Sequence, residues 1–133
     1  MNDPSPPDET DAIIWITHAD LVPDEISTFL GVKPTRVHAR GSGPFAQWIL
    51  SSRKNLETAS PNKHLNWILK QMSGCRSQLH ELKAKGYSVE LKCKIYASTD
   101  TTALIIEPEL LKSISDLGLL FICEINCNFG SAP

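Results

Sequence analysis

A chain of 133 residues, 41% hydrophobic and 21% charged, has the composition of one globular domain with a core of its own, not of a disordered chain. Its net charge of −2 and isoelectric point near 6.1 argue against a nucleic-acid-binding domain, where about 9 or more is usual. The most apolar run, residues 117–123, is far short of the roughly 20 residues that span a bilayer, and the first residues lack the basic start and apolar stretch of a signal peptide. The expectation is therefore a soluble, cytoplasmic protein.

Residues 1–11 carry three prolines and four acids with almost nothing apolar, which predicts a mobile tail that cannot bury enough surface to offset its ordering. The domain proper is expected over residues 12–129, with 130–133 as a C-terminal tail. Ile13, Ile14, Trp15, Ile16 and Thr17 are rich in β-branched and aromatic side chains and predict a first strand. A short helix follows at about 23–30. Pro23 suits its first turn, and Asp24 and Glu25 complement the positive end of its dipole. Ile26, Phe29 and Leu30 supply its apolar face, and Gly31 can take the left-handed position that ends it.

Residues 34–40 and 45–52 read as a hairpin around Gly41-Ser42-Gly43-Pro44. That glycine loop lacks the Gly-Lys-Ser/Thr ending of a phosphate-binding loop and joins two strands instead of opening a helix. Ser60-Pro61 begins a long helical stretch with Leu65, Ile68, Leu69, Met72, Leu79 and Leu82 at helical spacing. Ser73-Gly74 either kinks it or divides it, and Gly86 ends it. Next comes the clearest alternation in the chain. Val89, Leu91, Cys93, Ile95 and Ala97 fall on one face; Glu90, Lys92, Lys94 and Tyr96 fall on the other. This predicts an antiparallel strand with one dry and one wet side. Residues 102–106 suggest a further short strand. A helix over about 108–117 repeats the punctuation of the first, with Pro108 and Glu109 at its start, Leu117-Gly118 at its end, and Leu110, Leu111, Ile114 and Leu117 inward. The last strand, residues 119–128, sets Phe121, Cys123, Ile125 and Cys127 on one face.

The order β-α-β-β-α-β-(β)-α-β predicts an α+β two-layer sandwich, with a mainly antiparallel sheet, helices on one face and ferredoxin-like β-α-β units. Such a sheet leaves its other face open to a partner or to self-association.

The charge is unevenly spread. Residues 1–32 hold seven acids and no Lys or Arg, residues 33–94 hold twelve Lys and Arg against three acids, and residues 95–133 are acidic again. Within the basic segment Arg36, His38 and Arg40 share one strand face next to Lys33, because side chains two apart project together. This face reads either as a contact for an anion or an acidic protein, or as a solvated outer face paired to local acids. Trp48 on the neighbouring arm is either a core anchor or an aromatic contact beside it. Trp15 reads as a core or half-buried anchor, Trp67 as the margin of the core, and Tyr96 as a surface contact.

The four cysteines show no zinc or redox spacing. Cys123 and Cys127, about 13 Å apart along a strand, cannot bridge, and reduced, mostly buried thiols are expected. His18 and Asp20 lack an evident third metal ligand. No nucleophile stands at recognisable spacing from a base. No catalytic residue, metal or cofactor is expected.

The stretch Pro23-Asp24-Glu25-Ile26-Ser27 with Leu30-Gly31-Val32-Lys33-Pro34-Thr35 resembles the domain of unknown function 4279 family. Arg40-Gly41 before a Trp-bearing strand at Gln47-Trp48-Ile49-Leu50-Ser51 and the His64-Leu65 helix start extend the likeness over about residues 12–128. The resemblance implies a small, non-enzymatic bacterial protein, some of whose relatives look like immunity proteins encoded beside secreted toxins. It carries no known active site. The expected function is thus a protein-binding domain, with a toxin as the implied partner and Arg36, His38, Arg40 and Trp48 as candidate contacts. A small-ligand-binding or regulatory dimeric domain, and more distantly an enzyme, are the alternatives.

Overall fold

The structure is a computed structural model and describes residues 7–39, 45–99 and 101–127. Nine elements follow in chain order: β1 (Glu9–His18), α1 (Pro23–Leu30), β2 (Arg36–His38), β3 (Ala46–Ser51), α2 (Pro61–Gln71), α3 (Arg76–Ala84), β4 (Ser88–Ala97), α4 (Pro108–Leu117) and β5 (Leu120–Cys127). The strands form one sheet in the order β2-β3-β1-β4-β5. All pairs are antiparallel except β4 with β5, so the sheet is mixed. The α+β expectation holds at that level.

The two β-α-β units close differently. β4, α4 and β5 make a unit whose parallel strands are adjacent. β1 and β2 run in the same direction, since each is antiparallel to β3, but β3 lies between them. This order does not establish the ferredoxin-like arrangement. Residues 102–106 form no strand. The long helical stretch is divided: α2 ends before Gly74, whose φ of 84° no helix accommodates, and α3 begins after it.

Helix ends follow from the local sequence. Pro23 and Pro108 stand in the first turns of α1 and α4, where a missing N–H costs nothing. Ser60 caps α2 by accepting from the Lys63 amide at 3.4 Å. Gly31 and Gly118 end α1 and α4 with φ of 69° and 71°, a region that costs a residue with a Cβ about 1–2 kcal/mol. At Gly31 a methyl group meets nothing, whereas at Gly118 it runs into the His80 imidazole. Gly31→Ala is therefore expected to cost about 1 kcal/mol in chemical denaturation. Gly118→Ala should cost more, and adding His80→Ala should remove the excess. Equal costs in both backgrounds would show that His80 yields freely.

The helices cover one side of the sheet: α2 lies over β1, α3 packs on β4 and α1 on β3, and α2 also meets α4. Between the layers lie Ala12, Ile14, Ile16, Trp48, Leu50, Leu65, Ile68, Met72, Leu79, Leu91, Cys93 and Ile95, all buried. β4 has the expected alternation, with Val89, Leu91, Cys93, Ile95 and Ala97 buried. Trp67 packs at the core margin.

Several expectations need correction. β1 begins at Glu9, inside the stretch assigned to the tail, because Glu9, Thr10 and Asp11 pair with Tyr96, Ile95 and Lys94 of β4. Thr10 and Asp11 are buried there, and the Thr10 hydroxyl donates to the Ala59 carbonyl at 2.6 Å. Leu111, assigned inward, is exposed. Cys75 and Cys93 are buried, but Cys123 and Cys127 are exposed on the outer strand β5. Burial pushes the Cys93 thiol up to about 12. The turn residues 41–44, and the proposed tail residues 1–6 and 130–133, lie outside the described residues. No helix among the described residues is long and apolar enough to cross a membrane.

Candidate functional site on the open sheet face

The side of the sheet away from the helices is set by register. Residues opposite one another in neighbouring strands share a face, so Arg36 with Ile49, His38 with Gln47, Ile13 with Ser51 and Lys92, Trp15 with Ile49 and Glu90, and Asp11 with Lys94 all lie on this open side. Their neighbours in sequence, Ile14, Ile16, Trp48, Leu91 and Cys93, point into the core.

A depression of about 300 Å³ lies on this face. Its floor is Ile13, buried under its neighbours. Four cations line it from three segments: Arg36 from β2, Arg53 and Lys54 from the loop after β3, and Lys94 from β4. Thr35, Ser51, Asp11 and Tyr96 complete the wall.

The acids nearby are committed. The Asp11 carboxylate accepts from the Ser51 hydroxyl at 2.6 Å and from the Arg53 amide at 3.3 Å. Glu9 accepts from Arg53 Nη2 at 2.8 Å, and this hydrogen bond and charge raise the Arg53 pKa above its ordinary value. The Arg53 guanidinium also lies 5.7 Å from the centre of the Tyr96 ring. Lys94 is 3.9 Å from Glu124. Arg36 and Lys54 have no ion-pair partner among the described residues. Further along the face Lys92 sits 4.1 Å over the Trp15 ring, whose buried indole N–H has no acceptor among the described residues. The face thus presents donors in excess of acceptors.

Of the residues singled out in the sequence, Arg36 lines the depression and His38 continues the same face opposite Gln47. Arg40 lies outside the described residues. Trp48 is on the wrong side: it is 0% exposed, and its indole Nε1 donates to the Ser27 hydroxyl at 3.0 Å, so it offers no surface to a partner. Arg53, Lys54 and Lys94 are not among the contacts the sequence suggests. For Lys94 the wet side of the β4 alternation was a usable signal. Arg53 and Lys54 sit in a loop with no periodicity to place them.

A second polar constellation lies inside the molecule. Ser52 Oγ is 2.6 Å from His64 Nδ1, the contact a nucleophile makes with its base. Ser52 is fully buried and already accepts from the Ala12 amide, while His64, itself buried, borders a second depression of about 290 Å³ together with Thr10, Arg53 and Thr58. His18, weighed with Asp20 for a metal, stacks on Tyr87 at 4.3 Å, and its Nδ1 accepts from the Asp20 amide. Among the described residues no group of three or more His, Cys, Asp or Glu is placed to hold a metal ion.

Fold and site together define a small α+β sandwich with a cation-rich open sheet face. The chain matches the family described as Domain of unknown function (DUF4279) over residues 8–128, and it belongs to that family. No curated protein and no solved structure matches it.

Proposed function

We propose that the chain is a protein-binding domain that takes an acidic surface of its partner on the open face of its sheet. The convergence of Arg36, Arg53, Lys54 and Lys94 around one apolar-floored depression supports this reading. Charges of one sign held over a dry floor favour oppositely charged groups and reject like-charged ones. Arg36 and Lys54 have the most to gain, because they give up no internal ion pair on binding. The family resemblance adds a kind of partner: a toxin that the chain neutralises by direct binding.

The test is capture of proteins from the native cell lysate on the immobilised chain, beside an Arg36→Glu, Lys54→Glu double variant. A specific partner should be retained by the wild type and fall by about tenfold or more on the variant, with a shallower dependence on salt. A toxin encoded beside the gene and recovered in this way would support the finer reading. Identical captures by both forms would remove the open face as the interface.

A further inference from the structure

The two edges of the sheet differ in a way that bears on assembly. β2 is short, three residues, and carries Arg36 and His38. Short strands and charges are the usual guards against edge-to-edge pairing. β5, the opposite edge, runs for eight residues and contains no Pro, Lys or Arg. Leu120 and Ile125 are 61% and 47% exposed on it. Its one charge, Glu124, is already beside Lys94 of the same chain.

We propose that β5 pairs antiparallel with β5 of a second copy, closing the unguarded edge in a two-fold dimer. Charge favours the edge over the open face as the self-contact. Stacking two open faces sets the cations Arg36, Arg53, Lys54 and Lys92 of one copy against those of the other. Joining two β5 edges brings together strands with almost no charge.

The sequence also selects a register. Opposed residues must share a face, so a two-fold axis perpendicular to the sheet passes midway between one residue of the strand and its own copy. Centred on Glu124, the pairing sets two carboxylates directly opposite, which is destabilising. Centred on Ile122, it shortens the overlap within β5. Centred on Cys123, it uses most of the strand. Phe121 then faces the partner's Ile125, and Cys123 faces its own copy, on the helix side. Ile122 faces the partner's Glu124 on the open side. The axis stands perpendicular to the sheet, so the two basic depressions come to lie on one side of a continuous sheet, an arrangement suited to bivalent contact with a partner. The edge pairing does not depend on the protein-binding reading.

The full chain is expected to show a concentration-dependent dimer in sedimentation velocity. Ile125→Lys, on an exposed position checked for folding by circular dichroism, should raise the dimer dissociation constant by about tenfold or more, by placing a charge in the apolar strip. Ile122→Lys, set against the partner's Glu124, should retain the dimer. Oxidation with copper phenanthroline and air should cross-link the wild type through Cys123 and not Cys127. A strictly monomeric wild type overturns the proposal. So does a dimer that survives Ile125→Lys, one that Arg36→Glu dissolves instead, or a foreign strand found on β5 of an otherwise monomeric chain.

Discussion

Trp48→Ala is expected to remove a large share of the stability of the domain while leaving no direct mark on binding. The side chain is fully buried between β3 and the helix layer, and truncating a buried Trp costs about 3–5 kcal/mol. A domain of this size is stable by about 5–15 kcal/mol in total. Part of the loss is the hydrogen bond to Ser27, which anchors α1 on β3. Trp48→Phe separates the two contributions. It keeps an aromatic ring in the core and removes the indole N–H, for about 1 kcal/mol. Ser27 is not orphaned, since its hydroxyl still donates to the Pro23 carbonyl at 3.2 Å. Urea unfolding followed by circular dichroism measures both changes without relying on tryptophan emission. Affinity for an acidic partner, measured on folded Trp48→Phe, should equal that of the wild type. A Trp48→Ala cost below about 1 kcal/mol would contradict the packing described for this side chain.

Trp48 also shows why the sequence was readable in some places and not in others. Where a strand has one wet face, as β4 does, the two-residue period names both faces and places Lys92, Lys94 and Tyr96 on the open side. Where a strand's residues are buried on both faces, the period is lost. β3 is buried at Ala46, Trp48, Ile49, Leu50 and Ser51, so nothing in its pattern says which side Trp48 takes. In β5 the alternation names which residues share a face, but an edge strand with few neighbours leaves Cys123, Ile125 and Cys127 of its inward set exposed and only Phe121 half-buried. The polar start of β1 escaped for a different reason. Asp11 can be buried only because Ser51 and the Arg53 amide satisfy its carboxylate, and partners forty residues distant leave no local trace. Helix punctuation, by contrast, depends on neighbours in sequence, and the two Pro-to-Gly helices are legible on that basis. The basic depression combines both situations: Arg36 and Lys94 lie on readable strands, while Arg53 and Lys54 reach them from a loop placed by tertiary contacts.

That loop is held by the internal Ser52–His64 pair, and breaking the pair is expected to be costly on two counts. The Thr58 carbonyl, 2.6 Å from His64 Nε2, can only accept, so Nε2 donates to it. With Nε2 as the protonated nitrogen, Nδ1 accepts a hydrogen bond from the Ser52 hydroxyl, while Ser52 Oγ accepts from the Ala12 amide at 2.9 Å. One hydroxyl thus ties β1, the loop after β3 and the start of α2 together where no water reaches. Ser52→Ala leaves two buried partners, the Ala12 amide and His64 Nδ1, without a bond, at about 1–3 kcal/mol each. The expected loss is about 2–6 kcal/mol in urea unfolding. His64→Leu should be comparably destabilising, and the double variant should cost less than the sum by about 1 kcal/mol or more, because the two side chains act as one unit. The second consequence concerns the site. Arg53 and Lys54 directly follow Ser52, so a loosened loop should weaken binding of an acidic partner even under conditions where the variant is fully folded. The Gly31→Ala variant, which destabilises the chain from outside the lining of the depression, serves as the comparison. Ser52→Ala binding like Gly31→Ala would mean that the pair supports the core alone, whereas an added loss of affinity would tie the buried hydroxyl to the placement of the two cations.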